Sequence, residues 1–235
     1  MTRSMRTGIL VACLGLLPLV ADADTPCQHC GPGANWVDSC AEGQDNMPAT
    51  RALVGIDTSG DCVVDTNLIL NGPTLVTRSG PAGGVINTEL VSMSLTAMGG
   101  QVLTAGFGQG AIPLAHSYGQ IVEQGGDPTM ADSFFDVFFE VNLGGGQHAY
   151  NHSALHIAAA INCVPPAADY IKPTGCTPLY TTPTGGTWVA NLVTANHETS
   201  PPIPTVSEWG LIGLALLLGA GGVVVWARRR KVAAV

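Results

Sequence analysis

Three histidines recur at every fourth position in the segment GQHAYNHSALHIAAA, namely His148, His152 and His156. Histidine is the commonest metal ligand in proteins, so this spacing raises the question of a metal centre. On a helix, side chains four residues apart lie on one face and can bind one ion. On a strand they also share a face, but four residues span roughly 13 Å, too far for a shared ion. The neighbouring residues favour a strand, so we expect a polar strand face and keep His152 and His156 as weak candidate ligands.

A second candidate metal site lies in the segment DTSGDCVVD, which begins at residue 57. Four residues with side-chain oxygens occupy the first, third, fifth and ninth positions of a calcium-binding loop: Asp57, Ser59, Asp61 and Asp65. Cys62 stands where such a loop has a turn glycine, and Leu68 stands where it has a bidentate glutamate. A turn between two strands is therefore the leading interpretation, and a degenerate calcium site is the alternative.

The sequence lacks the motifs of common hydrolases, since neither GxSxG nor HExxH occurs in it. Asp132, Asp136 and Glu140 alternate along one predicted strand, where acidic side chains are normally solvated and not paired for acid–base catalysis. We therefore predict that the protein is not an enzyme. A secreted metal-dependent hydrolase that uses the histidines or these acids is the alternative.

The cysteines are better explained as disulfides than as nucleophiles or ligands. Cys13 lies in the leader described below, and an even number remains, which in an exported protein indicates disulfide bonds. Cys163 and Cys176 flank a proline-rich segment and are predicted to pair with each other. The other four cysteines are predicted to form two bridges among themselves, with three possible connectivities: Cys27, Cys30, Cys40 and Cys62. A zinc site around CQHC is a weaker alternative, because the sequence has no second CxxC motif.

The elements that must position these residues are predicted to be strands. With 30 glycines, 16 prolines and only 11% charged residues, the composition argues against a helical bundle. In SFFDVFFEV, residues 133–141, alternation places Phe135, Val137, Phe139 and Val141 on one face. The fold class predicted is mainly β, an antiparallel β-sandwich-like domain, from apolar or β-branched runs at residues 52–56, 62–70, 73–79, 86–98, 101–107, 133–141, 154–162 and 186–197.

Charge excludes one class of partner. Between Asp24 and Glu208 there are three basic residues against sixteen acidic ones. A surface of this sign repels phosphate groups, so we expect no binding to nucleic acid.

The N-terminal residues 1–23 are predicted to be a signal peptide. Arg3 and Arg6 precede an uncharged run of 13 residues, Gly8–Val20, which is too short to span a bilayer. The small residues of ADA then fit a cleavage site after Ala23.

A membrane-spanning helix is predicted for residues 210–227. These 18 residues carry no charge and would measure about 27 Å as a helix, close to the roughly 30 Å of the hydrocarbon core. Trp209 and Trp226 bracket the segment, and a basic tail at residues 228–235 follows it, which places the body outside the cytoplasm. The cytoplasmic anchor is the basic cluster Arg228, Arg229, Arg230 and Lys231.

The linker at residues 201–209 leads into this span and carries a short motif, IPTVSEWG. The motif, the apolar segment and the arginine cluster together resemble the IPTL-CTERM sorting domain, a relative of the PEP-CTERM signals read by exosortase-type membrane enzymes of Gram-negative bacteria. Val206 departs from the leucine usual in that family. The matching residues are Ile203, Pro204, Thr205, Ser207, Glu208, Trp209 and Gly210.

The resemblance implies sorting to the cell envelope or extracellular matrix by an exosortase-like enzyme at the membrane. The body, residues 24–200, resembles no family of known function, and we expect a structural or adhesive role with an extracellular polysaccharide as a candidate partner. No cofactor is expected unless calcium binds the loop at residue 57. A carbohydrate-binding module is an alternative because six aromatic residues could supply a stacking face: Trp36, Trp188, Tyr118, Tyr150, Tyr170 and Tyr180.

Overall fold

The computed structural model describes residues 23–199, and this part of the chain is built almost entirely from strands. It contains one short helix, α1 (Trp36–Ser39), and twelve strands. The strands are β1 (Gly43–Asp57), β2 (Thr66–Arg78), β3 (Val85–Ala97), β4 (Val102–Ala105), β5 (Ser117–Gln124), β6 (Asp127–Val137), β7 (Phe139–Gly144), β8 (Gln147–Asn151), β9 (Leu155–Ile161), β10 (Asp169–Ile171), β11 (Thr177–Tyr180) and β12 (Trp188–Glu198). The mainly β prediction is confirmed.

All twelve strands belong to one antiparallel sheet that closes on itself. Its order is β1-β2-β3-β4-β7-β8-β11-β12-β10-β9-β6-β5, and β1 also pairs with β12 while β3 also pairs with β5. The β1–β12 ladder runs from Arg51 opposite Glu198 to Asp57 opposite Asn191. The strands therefore enclose a single interior.

At four places around this closed sheet, two short strands lie end to end and together take the place of one long strand. The first part of β3 pairs with β5 and its last part with β4, so β4 and β5 continue one line. The same relation joins β6 with β7, β8 with β9, and β10 with β11. With the four unbroken strands β1, β2, β3 and β12, these lines follow one another in chain order, up and down around the interior.

The break between β6 and β7 at Phe138 is stabilised by two buried side chains. Ser117 Oγ accepts a hydrogen bond from the Phe138 backbone N–H at 2.9 Å. Asn151 Oδ1 accepts one from the Phe139 N–H, and Asn151 Nδ2 donates to the Val137 carbonyl, both at 2.8 Å. Because an unpaired buried backbone group costs about 1–3 kcal/mol, these contacts allow the sheet to bend here without that loss.

The layering predicted for the sheet is wrong. A β-sandwich has two sheets packed face to face, whereas here the last strand, β12, returns to pair with the first, β1. Alternation in sequence shows which residues face inward but not which distant strand a strand will pair with, so it could not separate the two architectures.

The interior is filled by two apolar clusters. The alternation predicted for SFFDVFFEV is confirmed, because Val137, Phe139 and Val141 are at most 3% exposed. The larger cluster includes Leu70, Leu95, Phe139, Val141, Leu179 and Leu192. The second cluster includes Trp36, Val37, Ile86, Ile121, Ile161, Val164 and Tyr170.

The segment before β1, residues 24–42, packs over one end of the closed sheet. Trp36 of α1 is buried, and its indole N–H donates to the Thr129 carbonyl at 3.2 Å. The His29 N–H donates to the Val164 carbonyl at 2.9 Å, and Cys30 forms a β-bridge with the same residue. This segment supplies part of the second cluster and so stabilises the end of the sheet that it covers.

Three disulfides use all six cysteines of the body: Cys27–Cys163, Cys30–Cys40 and Cys62–Cys176. The prediction that these cysteines form disulfides is confirmed. The pairing of Cys163 with Cys176 is wrong, and so is the expectation that Cys27 and Cys62 bond within the group of the first four cysteines. The closed sheet brings together cysteines separated by 136 and 114 residues, so proximity in sequence was a poor guide. One bridge ties the N-terminal segment to the chain after β9, and another ties the loop after β1 to the chain before β11.

Among residues 23–199, no helix is long and apolar enough to cross a membrane. The predicted membrane span at residues 210–227 lies outside the described residues. The sorting motif at residues 203–210 and the basic tail at residues 228–235 also lie outside them, as does the predicted signal peptide except for residue 23.

Candidate functional site

The candidate calcium loop is organised around a buried carboxylate at the end of β1. Asp57 Oδ1 accepts hydrogen bonds from the N–H groups of Ser59 at 2.8 Å and Gly60 at 2.7 Å. Asp57 Oδ2 accepts from the Cys62 N–H and from Asn191 Nδ2, both at 2.8 Å. The Asn191 hydrogen bond, together with these backbone donors, holds the pKa of Asp57 far below its ordinary value.

The Asp65 carboxylate of the loop is held in the same way, by hydrogen bonds from backbone N–H groups. Asp65 Oδ2 accepts hydrogen bonds from the Thr58 N–H at 2.8 Å and the Ser59 N–H at 3.1 Å, which lower the pKa of Asp65, Thr58 contributing most. Cys62 has a φ of 64°, the left-handed conformation in which a turn glycine is usual. Protein donors therefore already occupy carboxylate oxygens that calcium would need, and calcium binding by Asp57, Ser59, Asp61 and Asp65 stays a prediction.

The three regularly spaced histidines lie on strands and their connection, as the strand interpretation predicted. His148 is in β8, His156 is in β9, and His152 lies between the two strands. Each has a different partner: His148 hydrogen-bonds to Glu140, His156 Nδ1 lies 2.9 Å from Asp136 Oδ1, and His152 Nε2 lies 2.9 Å from the Thr182 carbonyl. This geometry gives no support to a metal ion shared by these histidines.

The expectation that the alternating acidic residues are solvated is wrong for Glu140. Asp132 is exposed and Asp136 partly so, but Glu140 is only 4% exposed. The loop between β4 and β5 covers this carboxylate, and the Ala111 N–H donates to Glu140 Oε2 at 2.6 Å. The outward face of a strand can thus be buried by a distant loop, which the alternation pattern does not reveal.

A group of charged residues that the sequence did not single out joins the N-terminal segment to β1 and β2. Asp24, His29 and Asp45 place ligand atoms within 4.8 Å of one another, as a metal site would require. The Arg78 guanidinium, however, hydrogen-bonds to Asp45 and lies 3.2 Å from His29 Nδ1. Because this cation already lies against two of the three candidate ligands, the arrangement favours a buried ion-pair network over a metal centre.

An aromatic stack lies on the outside of the closed sheet. Phe107 and His116 stack with ring centroids 3.8 Å apart, and His116 and Tyr118 stack at 5.2 Å. Phe107 and Tyr118 are each 57% exposed, and Glu89 hydrogen-bonds to His116. Tyr118 is a candidate stacking residue predicted from the sequence, whereas Phe107 and His116 were missed, although the two-residue spacing of His116 and Tyr118 was a signal that they share a face.

The aromatic residues proposed for a carbohydrate-stacking face do not form one surface. Trp36 and Tyr170 are buried in the second apolar cluster, and Tyr150, opposite Glu140 on the neighbouring strand, is also buried; all three are at most 3% exposed. Tyr118 belongs to the external stack, and Trp188 is 43% exposed near the loop that follows β1. Tyr180 is partly buried and stacks on His152 with ring centroids 3.8 Å apart. Tyr118, together with Phe107 and His116, forms a stack of three rings, two of them 57% exposed.

Comparison with known proteins identifies the C-terminal segment. Residues 201–230 match the family model of the IPTL-CTERM motif, which confirms the resemblance predicted from the sequence. No curated protein and no solved structure matches the chain. The sorting motif and the three disulfides point to an exported, non-cytoplasmic protein.

Proposed function

We propose that the IPTL-CTERM motif delivers this disulfide-containing domain to the cell surface or extracellular matrix, where it has a structural or adhesive role and no enzymatic activity. The match at residues 201–230 carries this proposal, because that motif is a sorting signal. In this account residues 210–227 anchor the chain in a single pass with its body outside the cytoplasm. An exosortase-like membrane enzyme is the sorting partner.

The N-terminal segment is compatible with removal of a signal peptide after Ala23. The Asp24 backbone N–H donates to the Asn46 carbonyl at 3.0 Å, and Asp24 Oδ2 accepts from the Asn46 N–H at 2.5 Å. Cleavage would turn the Asp24 N–H into an ammonium group, which still donates to that carbonyl. The mature chain would therefore keep its first residue paired with β1.

The external aromatic stack supports the adhesive part of the proposal. Aromatic rings that are half-exposed and held rigidly by neighbouring rings offer apolar area with little loss of conformational entropy on binding. Phe107 and Tyr118 provide this area, and Glu89 adds a hydrogen-bond acceptor beside them. This combination suits an extracellular polysaccharide, whose sugar rings present both C–H faces and hydroxyl groups.

The sorting motif can be tested separately from the membrane anchor. The Ser207→Ala, Glu208→Ala, Trp209→Ala triple variant keeps the apolar residues 210–227 and the arginine cluster, so membrane insertion should survive. We expect surface delivery or trimming of the tail to fail in the native host, and a longer precursor to accumulate in the inner membrane. Cell fractionation and immunoblotting measure both outcomes.

A matched control changes residues beyond the family match. The Val232→Ala, Val235→Ala variant should be located and sized like the wild type, because both positions lie outside residues 201–230. If the triple variant also behaves like the wild type, the octapeptide is a linker before an ordinary anchor and the sorting proposal is wrong.

The adhesive role has its own test. The Phe107→Ala, Tyr118→Ala variant should reach the surface normally but bind the host's extracellular polysaccharide roughly tenfold more weakly, since two stacking contacts are lost. Co-sedimentation with purified polysaccharide measures the affinity. The control is Ile69→Ala, Ile171→Ala, which removes two exposed apolar side chains outside the stack. Equal binding by the two variants would rule out the stack as the adhesive surface.

A further inference from the structure

The closed sheet contains a cavity between its two apolar clusters. The volume within which the centre of a water-sized sphere can move is about 80 Å³. By the same measure, one water molecule needs roughly 10–15 Å³. Members of the larger cluster, such as Val54 and Leu90, line it together with Ile121 and Val164 of the second cluster. It therefore lies inside the fold and is distinct from every surface described above.

An unpaired polar atom belongs to this mostly apolar lining. Thr88 is only 5% exposed, and its Oγ1 has no hydrogen-bond partner within residues 23–199. Thr88 shares the inward face of β3 with Ile86 and Leu90 and is one of the lining residues. A buried hydroxyl without a partner is costly, so its hydrogen-bonding capacity calls for a group that the protein itself does not supply.

A second polar group lines the same cavity. His197 lies on β12 opposite Ala52 of β1, which also lines the cavity. The His197 residue is partly buried, and its ring is one of the few polar groups of the lining. Burial lowers the pKa of His197 to about 4, so at neutral pH its ring offers one donor and one acceptor.

Of the other polar lining groups, Asn196 has a buried Oδ1 with no hydrogen-bond partner within residues 23–199, and Ser133, Tyr170, Thr199 and Asp45 are satisfied. Ser133 Oγ and the Tyr170 hydroxyl lie 2.8 Å apart, and Thr199 Oγ1 donates to the Pro166 carbonyl at 2.7 Å. The Asp45 carboxylate is neutralised by Arg78, which does not line the cavity. A charged ligand would therefore find no counter-ion here, and its desolvation would go uncompensated.

We infer that the closed sheet binds a small, neutral, mainly apolar molecule bearing a hydroxyl group in this cavity, with Thr88 Oγ1 hydrogen-bonding to that hydroxyl and His197 as a second polar group of the lining. Such a molecule matches the lining in both respects: its apolar part contacts the aliphatic side chains, and its hydroxyl can both donate and accept. This is the combination found in small-molecule sites, which are apolar cavities with a few convergent polar groups. The inference is independent of the surface role proposed above.

The test uses phenol and benzene as probes, because they differ by one hydroxyl group. Each is titrated into the full mature chain in detergent and followed by calorimetry or by chemical shifts of the lining methyl groups. We expect one phenol to bind per chain, about three- to tenfold more tightly than benzene, the gain from one hydrogen bond. The isosteric Thr88→Val variant should lose most of that preference while remaining folded.

Two cavity-filling variants locate the site. Ala195→Leu and Ala52→Leu each add volume to the lining, so either should abolish binding of both probes; a thermal melt identifies whichever variant stays folded. Ala160→Leu, at an exposed position of β9, should bind like the wild type. The inference is overturned if neither probe binds, which would mean that the cavity holds water only. It is also overturned if the folded cavity variants still bind, or if phenol keeps its preference in Thr88→Val.

Discussion

Replacing Arg78 with methionine is expected to destabilise the protein by about 3–5 kcal/mol, the usual cost of breaking a buried ion pair. The side chains of Arg78 and Asp45 are only 5% and 4% exposed. Arg78 Nε also donates to the Ala41 carbonyl at 3.0 Å, which ties the chain before β1 to the end of β2. The variant would therefore leave a buried carboxylate and a backbone carbonyl without their main donor. Denaturant unfolding followed by tryptophan fluorescence measures the loss.

Two further variants show that the buried charge is the cause. Arg51→Met removes an arginine from the more exposed Arg51–Glu198 pair and should have a clearly smaller effect. The double variant Arg78→Met, Asp45→Leu should recover most of the stability, because no unpaired charge remains. A double variant no more stable than Arg78→Met alone would contradict this explanation.

Loss of the long-range disulfide Cys27–Cys163 is the second large effect expected. The bridge closes a loop of 136 residues, for which the chain-entropy model gives about 5 kcal/mol, against about 3 kcal/mol for Cys30–Cys40 with its separation of 10. Paired alanine substitutions at each bridge, compared by denaturant unfolding, measure the difference. Removal of Cys27–Cys163 should be the more harmful, and the reverse order would mean that local packing of the N-terminal segment outweighs loop closure.

The sequence identified strands where their composition was distinctive and missed them where it was not. The apolar runs in β3, β6 and β12 were predicted because β-branched and aromatic residues alternate there. The first part of β1 reads GQDNMPATR, polar and interrupted by Pro48, and β5 reads SYGQIVEQ, so neither gave a clear signal. Both become strands because neighbouring strands supply their hydrogen bonds, which is tertiary context that a local pattern lacks.

The same limit explains which candidate residues could be predicted. That all six cysteines of the body would be paired followed from their number, but which ones would meet depended on closure of the sheet, which juxtaposes Cys62 and Cys176. The sorting motif was recognisable because its residues are contiguous. Thr88 and His197 lie far apart in sequence, on β3 and β12, and no spacing in sequence indicates that both line one cavity.

Mass spectrometry of the mature protein from its native host, digested without reduction, tests the central claim of an exported, tail-sorted and disulfide-stabilised domain most directly. We expect an N-terminus at Asp24, no free thiol in the body, and the bridges Cys27–Cys163, Cys30–Cys40 and Cys62–Cys176. The same spectra report whether the tail is trimmed near residues 203–210. A chain that retains residues 1–23, with Cys27 and Cys30 alkylated before reduction, would contradict the account.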